Sequence, residues 1–155
     1  MSVTLVSGVN GVGLSSVCQA VRRGLGDGYK LINFGDVMLE QAAAMGITTE
    51  RAQLGTLSQT ETRRLQRRAG EFVAEAAETT NVILSTHLAV ETQTGYVQGL
   101  PVEVLRDVSP DAFVLVEAEP ATILERRRES DRDLDGTTER QIDFEQDLNR
   151  SAALQ

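Results

Sequence analysis

A chain of 155 residues is long enough for one domain with a sizeable buried core and too short for two. Its 41% hydrophobic and 25% charged residues are a globular composition, and no apolar run reaches the roughly 18 residues of a membrane span. Twenty-three acids against fifteen bases leave a net charge of −8, which speaks against the basic face of a duplex nucleic-acid binder. Lys30 is the only lysine, and both a high-salt protein and an ordinary acidic one remain open readings. The N-terminus enters an apolar run directly rather than a basic, cleavable leader, so a cytoplasmic setting is expected. Cys18 has no second cysteine to pair with and reads as a small buried apolar residue.

Val3 to Val6 is expected to form the first strand, followed by a glycine-rich turn and a helix whose Val17, Ala20, Val21 and Leu25 share a face. The glycines at 24, 26 and 28 stop that helix, and Tyr29 to Asn33 reads as a second strand. Asp36 is placed to cap a helix over Val37 to Met45, closed by Gly46. After a polar connection, Ser58 and Glu61 form a capping box. Leu65, Ala69, Phe72, Val73 and Ala76 then recur on one helical face, with Arg63, Arg64, Arg67 and Arg68 opposite. The apolar run within Asn81 to Thr86 predicts a strand covered on both faces. Thr94 to Pro101 reads as loop by its glycines, and a short helix from Pro101 to Val108 precedes a strand over Ala112 to Val116. Pro120 opens a helix ending in Arg126, Arg127 and Arg128, a charged loop runs to Gly136, and a last helix is capped near Thr138.

Strands alternating with helices predict an α/β fold, three-layered with a central parallel sheet, and such sheets bind ligands beyond the carboxyl ends of their strands. That rim holds the glycine turn, Asn33 to Asp36, Ser85 to His87 and Glu117 to Glu119. The turn itself, from Gly8 through Val9, Asn10, Gly11, Val12, Gly13 and Leu14 to Ser15 and Ser16, has the order strand, glycines, hydroxyls, helix. Such an order can aim backbone N–H groups at an anion and add the positive helix end to them. Its spacing matches the phosphate-binding Walker A pattern except at Leu14, where the pattern has lysine. Glycines that merely permit close packing would account for the same letters.

Beyond the loop, Asn33-Phe34-Gly35-Asp36-Val37-Met38, Thr86-His87, Thr94-Gly95-Tyr96 with Gly99-Leu100-Pro101, and Asn149-Arg150 with Ala152-Ala153 follow in order. In these blocks the chain resembles the archaeal-type adenylate kinases over essentially its whole length. The resemblance implies a P-loop fold and a single nucleoside monophosphate kinase domain over residues 1–155, with AMP-side helices at about 36–79 and a lid at about 126–137. It implies reversible phosphoryl transfer from ATP with Mg2+ to AMP, giving two ADP. ATP phosphates would lie on Gly8 to Ser16 with Ser15 facing the metal, AMP against Phe34, Gly35, Thr86, His87, Gly95 and Tyr96, and Arg126, Arg127 and Arg132 on the transferring phosphoryl. Phosphoryl transfer asks for positioned donors, guanidinium forks and a metal more than for covalent chemistry. By the same resemblance a homo-oligomer, a trimer in many members, is expected.

The sequence departs from the family at four places. Leu14 replaces the loop lysine, Gly55 stands where an arginine reaches the AMP phosphate, Ser85 replaces an aspartate, and Glu91 replaces a basic residue. Arg51 is the nearby cation that can stand in for the one missing at Gly55. The family's C-terminal strand and helix are also expected to be absent, leaving an open sheet edge. These departures motivate a second reading: a nucleotide-binding paralogue, weakened or inactive in catalysis, that acts as a sensor or assembly partner.

Overall fold

The structure is a computed structural model that describes residues 2–92, 95–129 and 137–154. Four parallel strands, β1 (Val3–Ser7), β2 (Tyr29–Asn33), β3 (Asn81–Thr86) and β6 (Ala112–Leu115), form a sheet in the order β2-β3-β1-β6. Leu5 of β1 pairs with Leu84 of β3 and Phe113 of β6, and Ile32 of β2 pairs with Leu84. The helices are α1 (Leu14–Leu25), α2 (Phe34–Ala44), α3 (Gln59–Ala77), α4 (Val102–Val108), α5 (Pro120–Glu129) and α6 (Glu139–Ala153).

Alternation along the strands divides the core into two halves, because successive side chains leave opposite faces of a sheet. Val3, Leu5, Ile32, Val82 and Leu84 pack with Phe34, Val37, Ala69, Val73, Val104 and Val108 of α2, α3 and α4. Val6 and Ile83 pack on the other face with Leu14 and Cys18 of α1, Ile123 and Leu124 of α5 and Ile142 of α6. Three layers, helix over sheet over helix, therefore match the expected fold class.

Local differences from the sequence reading have physical causes. The α2 cap is Asn33, whose side chain accepts from the Asp36 amide at 2.9 Å, so the helix starts at Phe34 and Asp36 sits in its first turn. The polar connection contains a 3-10 helix, Arg51–Thr56. Residues 94–101 are not simply loop, since β4 (Ala89–Thr92) and β5 (Gly95–Gln98) form an antiparallel hairpin. In α1 the buried residues are Leu14 and Cys18, while Val21 and Leu25 are 39% and 49% exposed. Phe72 of α3 is likewise on the surface, beneath the Lys30 ammonium. The Ser58 and Thr138 caps of α3 and α6 form as expected. Among the described residues β6 pairs only with β1, so it is a sheet edge, and Phe113 and Val114 are exposed on its two faces.

Candidate functional site

The glycine turn leaves the carboxyl end of β1 and feeds α1 through Gly13, the helix N-cap, at φ +91° with no side-chain cap. Gly11 is at φ +88°. Left-handed backbone of this kind costs a side-chain-bearing residue 1 kcal/mol or so, which is why glycine recurs here. The loop carbonyls are turned outward onto donors. The Gly8 carbonyl meets His87 Nδ1, the Val9 carbonyl accepts from the Val12 amide at 3.2 Å, and the Asn10 carbonyl accepts from Arg127 Nε at 2.8 Å. Arg126 Nη1 donates to the Val12 carbonyl at 2.9 Å, and the Val17 amide donates to the Gly13 carbonyl at 3.0 Å. With carbonyls drawn away, the first-turn amides of Leu14, Ser15 and Ser16 have no acceptor among the described residues. An unsatisfied row of amides at a helix N-terminus has the geometry to cradle an anion.

Val9 and Val12 are buried, so what they offer a ligand is backbone. Leu14 is 9% exposed and packs in the core half that contains Cys18 and Val6 together with Val9 and Val12 of the turn. Ser15 and Ser16 are exposed.

Of the other predicted residues, Phe34 is 1% exposed in the core and Thr86 is buried, its hydroxyl on the His87 carbonyl. Gly35 lies under Arg51, whose guanidinium donates to Asn33 Oδ1 at 3.2 Å and pairs with Asp36. A Cβ at Gly35 would collide with that guanidinium. Arg51 thus sits on the Asn33–Asp36 rim. Ser85 accepts from Asn33 Nδ2 at 3.2 Å, so the end of β3 carries a neutral hydroxyl pair and no carboxylate. Gly95 opens β5 at φ +126°, and Tyr96 packs edge-on against Phe144 with its hydroxyl 3.4 Å from Glu145 Oε1. Arg132, and most of the expected lid, lie outside the described residues.

One cavity opens on this rim, and a second lies apart from it, lined by none of the predicted site residues. The first, of about 250 Å³, is lined by Val9, Asn10, His87, Tyr96, Arg127 and Glu145. The other, about 820 Å³, lies between the start of α3 and the β5–α4 connection, with Ser58, Thr62, Arg63, Gln66, Gln98 and Gly55 on its walls. Glu145 was not among the predicted site residues. Its signal is the spacing of Ile142, Gln146 and Asn149, the buried face of α6, beside which Glu145 falls.

Magnesium is the metal implied by the resemblance. The described residues hold no group of three or more His, Cys, Asp or Glu side chains able to bind a metal on their own. Ser15 at the cradle fits an ion that arrives on phosphate oxygens, the usual habit of Mg2+.

A parallel sheet with an anion cradle between its first strand and first helix defines a P-loop phosphotransferase-type domain. The chain matches a family described as an AAA domain over residues 7–143. It is 37% identical over 153 residues to an adenylate kinase from Thermococcus onnurineus, covering 98% of this chain and 78% of that protein. It is 39% identical to one from Pyrococcus horikoshii, with the same coverage, and 38% to one from Methanothermobacter thermautotrophicus over 99% of this chain and 83% of that one. The protein belongs to the adenylate kinase family.

Solved structures are similar in fold alone. A chain of the Pnkp1/Rnl/Hen1 RNA repair complex gives a TM-score of 0.61 at 14% identity, over 98% of this chain and 45% of that one. A gluconokinase from Sinorhizobium meliloti gives 0.53 at 17% identity, over 97% and 74%. No helix among the described residues is long and apolar enough to cross a membrane.

Proposed function

We propose that this protein transfers the terminal phosphoryl group of MgATP to AMP, reversibly, giving two ADP. The observation that carries the reading is the turn whose carbonyls are held outward by His87, Arg126 and Arg127 while the amides of Leu14, Ser15 and Ser16 are left for an anion. In this reading the backbone of Gly8 to Ser16 binds the ATP phosphates, and the positive end of α1 stabilises their charge. The Ser15 hydroxyl would help to hold magnesium, which would supply neutralisation of the phosphate charge. AMP binds on the acceptor side with its phosphate toward Gly35, Thr86 and His87, where Arg51 is the nearest described cation to Gly35. Phe34 acts through its backbone, and Gly95 and Tyr96 border the acceptor side. Arg126, Arg127 and Arg132 orient and stabilise the transferring phosphoryl group, and the segment 126–137 closes over it to exclude water. The domain is a single unit, cytoplasmic, and assembles with copies of itself.

A second reading is supported by particular observations: Leu14 is packed in the core, Gly55 presents no side chain, and Ser85 leaves the end of β3 uncharged. Under it the chain binds nucleotide and serves as a sensor or assembly partner. One coupled assay separates the two, with ATP, AMP and Mg2+ in low and high salt and ADP formation measured. The kinase reading expects ADP production that depends on AMP. Turnover equal to the buffer blank, with ATP still raising the melting temperature, rejects it in favour of the second.

A further inference from the structure

The helix that starts at the glycine turn ends beside a cleft. Twelve residues of α1, about 18 Å of helix, separate the free amides of its first turn from Arg22 and Arg23 in its last. There, at the amino ends of β2 and β3, an open cleft of about 750 Å³ is lined by Gln19, Arg22 and Arg23 of α1, Asp27 of the connection, and Tyr29 and Lys30 of β2. Three cations thus share it with one acid, in a chain whose acids outnumber its bases by 23 to 15. Among the described residues none of these three cations, all exposed, belongs to an ion pair. The negative end of the α1 dipole favours arginines in its last turn. It does not account for Lys30, which comes from a different element and whose ammonium lies 5.8 Å from the Phe72 ring centroid rather than on a carboxylate.

We infer that this cleft is a second anion site, one that takes a short phosphate chain, whether free polyphosphate or the tail of a nucleotide, at the opposite end of α1 from the glycine turn. A concave surface lined by one sign of charge concentrates its field. Guanidinium groups match phosphate oxygens in paired hydrogen bonds, and an ammonium adds a point charge from the strand side. Charge also limits the length of the ligand. The rest of the chain is more negative than its total of −8, so a long polyanion reaching beyond the cleft is repelled while a short one keeps its charge inside. None of the lining residues belongs to the turn or to the acceptor side, so the inference stands apart from the kinase reading.

The test is a titration of the isotope-labelled protein with inorganic tripolyphosphate at low salt, followed by amide signals in NMR spectra. Binding in the cleft is expected to shift the amides from Gln19 to Leu31 and of Thr80, on a saturation curve of its own and more weakly as salt rises. Arg22→Gln with Arg23→Gln is expected to weaken that response about tenfold or more and to leave any response of Gly11 to Ser16 unchanged. Lys30→Gln, on a separate element, is expected to weaken it about threefold, and it carries the test if the double variant does not fold. ATP in place of tripolyphosphate identifies the source: equal affinity assigns the cleft to the phosphate chain alone, and tighter binding assigns it to a nucleotide. The inference is overturned if no amide between Gln19 and Leu31 responds, or if the response survives both sets of substitutions. It is also overturned if a short glutamate peptide of the same charge binds as tightly, because the cleft is then an unspecific counterion surface. A cleft that responds while Gly11 to Ser16 stay silent sinks the phosphate role of the turn and leaves this inference standing.

Discussion

Leu14 is where one side chain does most to separate this protein from a lysine-bearing phosphate loop. As leucine it fills the junction between the turn and α1 beside Cys18, and the turn is left with amides, the helix end and two lid-side arginines for charge. Leu14→Lys exchanges nearly complete burial for a stem that can stay packed only while its ammonium reaches out. The expected outcome is a loss of about 1–2 kcal/mol in urea unfolding. A gain in ATP affinity of about tenfold by calorimetry is expected alongside it, the worth of one partly desolvated cation. Unchanged affinity would mean that position 14 does not face the phosphates at all. At the same scale, Ser58, Thr138 and the glycines at 11 and 13 did in the fold what their chemistry says. Asp36 did not, because Asn33 one turn earlier was the better-placed cap.

At the scale of elements the β4–β5 hairpin is the connection that brings the two cavities together. It supplies Tyr96 to the smaller and Val97 and Gln98 to the larger, and it is fastened at its end by Gln66, whose side-chain amide donates to the Gln98 carbonyl at 2.9 Å. The fastening depends on Gly99, where an added Cβ would fall 1.6 Å from the His87 carbonyl oxygen. Gly99→Ala is therefore expected to cost about 3 kcal/mol or more in unfolding free energy, since backbone has to move. It should also release His87 from the Gly8 carbonyl, visible as a changed histidine signal in NMR spectra. Preserved stability and an unmoved histidine would show that the hairpin is not what braces the turn. Glycine spacing hid this element: Gly95 and Gly99 read as loop because β5, which lies between them, is only four residues long and is held by its pairing with β4.

For the molecule as a whole, α6 ties together parts of the rim distant in sequence. Asn149 accepts from the Ser7 hydroxyl at 3.1 Å and from the Leu88 amide at 3.0 Å, and Gln146 bonds both amide and carbonyl of Ala118. At the exposed end Arg150 grips both oxygens of Glu117, at 2.8 and 2.6 Å, and holds that carboxyl below its usual range. A carboxyl with a folded pKa below its unfolded one adds stability above the unfolded value and loses it as pH falls through the folded one. Glu117→Gln is accordingly expected to be slightly less stable than wild type at pH 7, with the difference shrinking as pH falls below the ordinary carboxyl range and lost as pH passes through the lowered folded value. The gap is small because both groups are solvated. A gap that stays constant with pH would assign the effect to packing.

Local chemistry was enough to place the strands β1, β2 and β3, the Ser58 and Thr138 caps, the glycine turn and the family blocks, because each depends on residues within a turn or two of one another. The strand order β2-β3-β1-β6, the side of α1 that is buried, the core position of Phe34 and the pairing of Arg127 with Glu145 were decided only by tertiary structure. Each of these depends on which surfaces meet across long stretches of chain. Hydrophobic periodicity reports that a face is apolar; it does not say how much sheet lies beneath it, and so Val21 and Leu25 look like core and remain in solvent. Nor does a row of charges along α6 say which of its carboxylates will meet a guanidinium eighteen residues away, because that meeting is arranged by the sheet that both helices lie against.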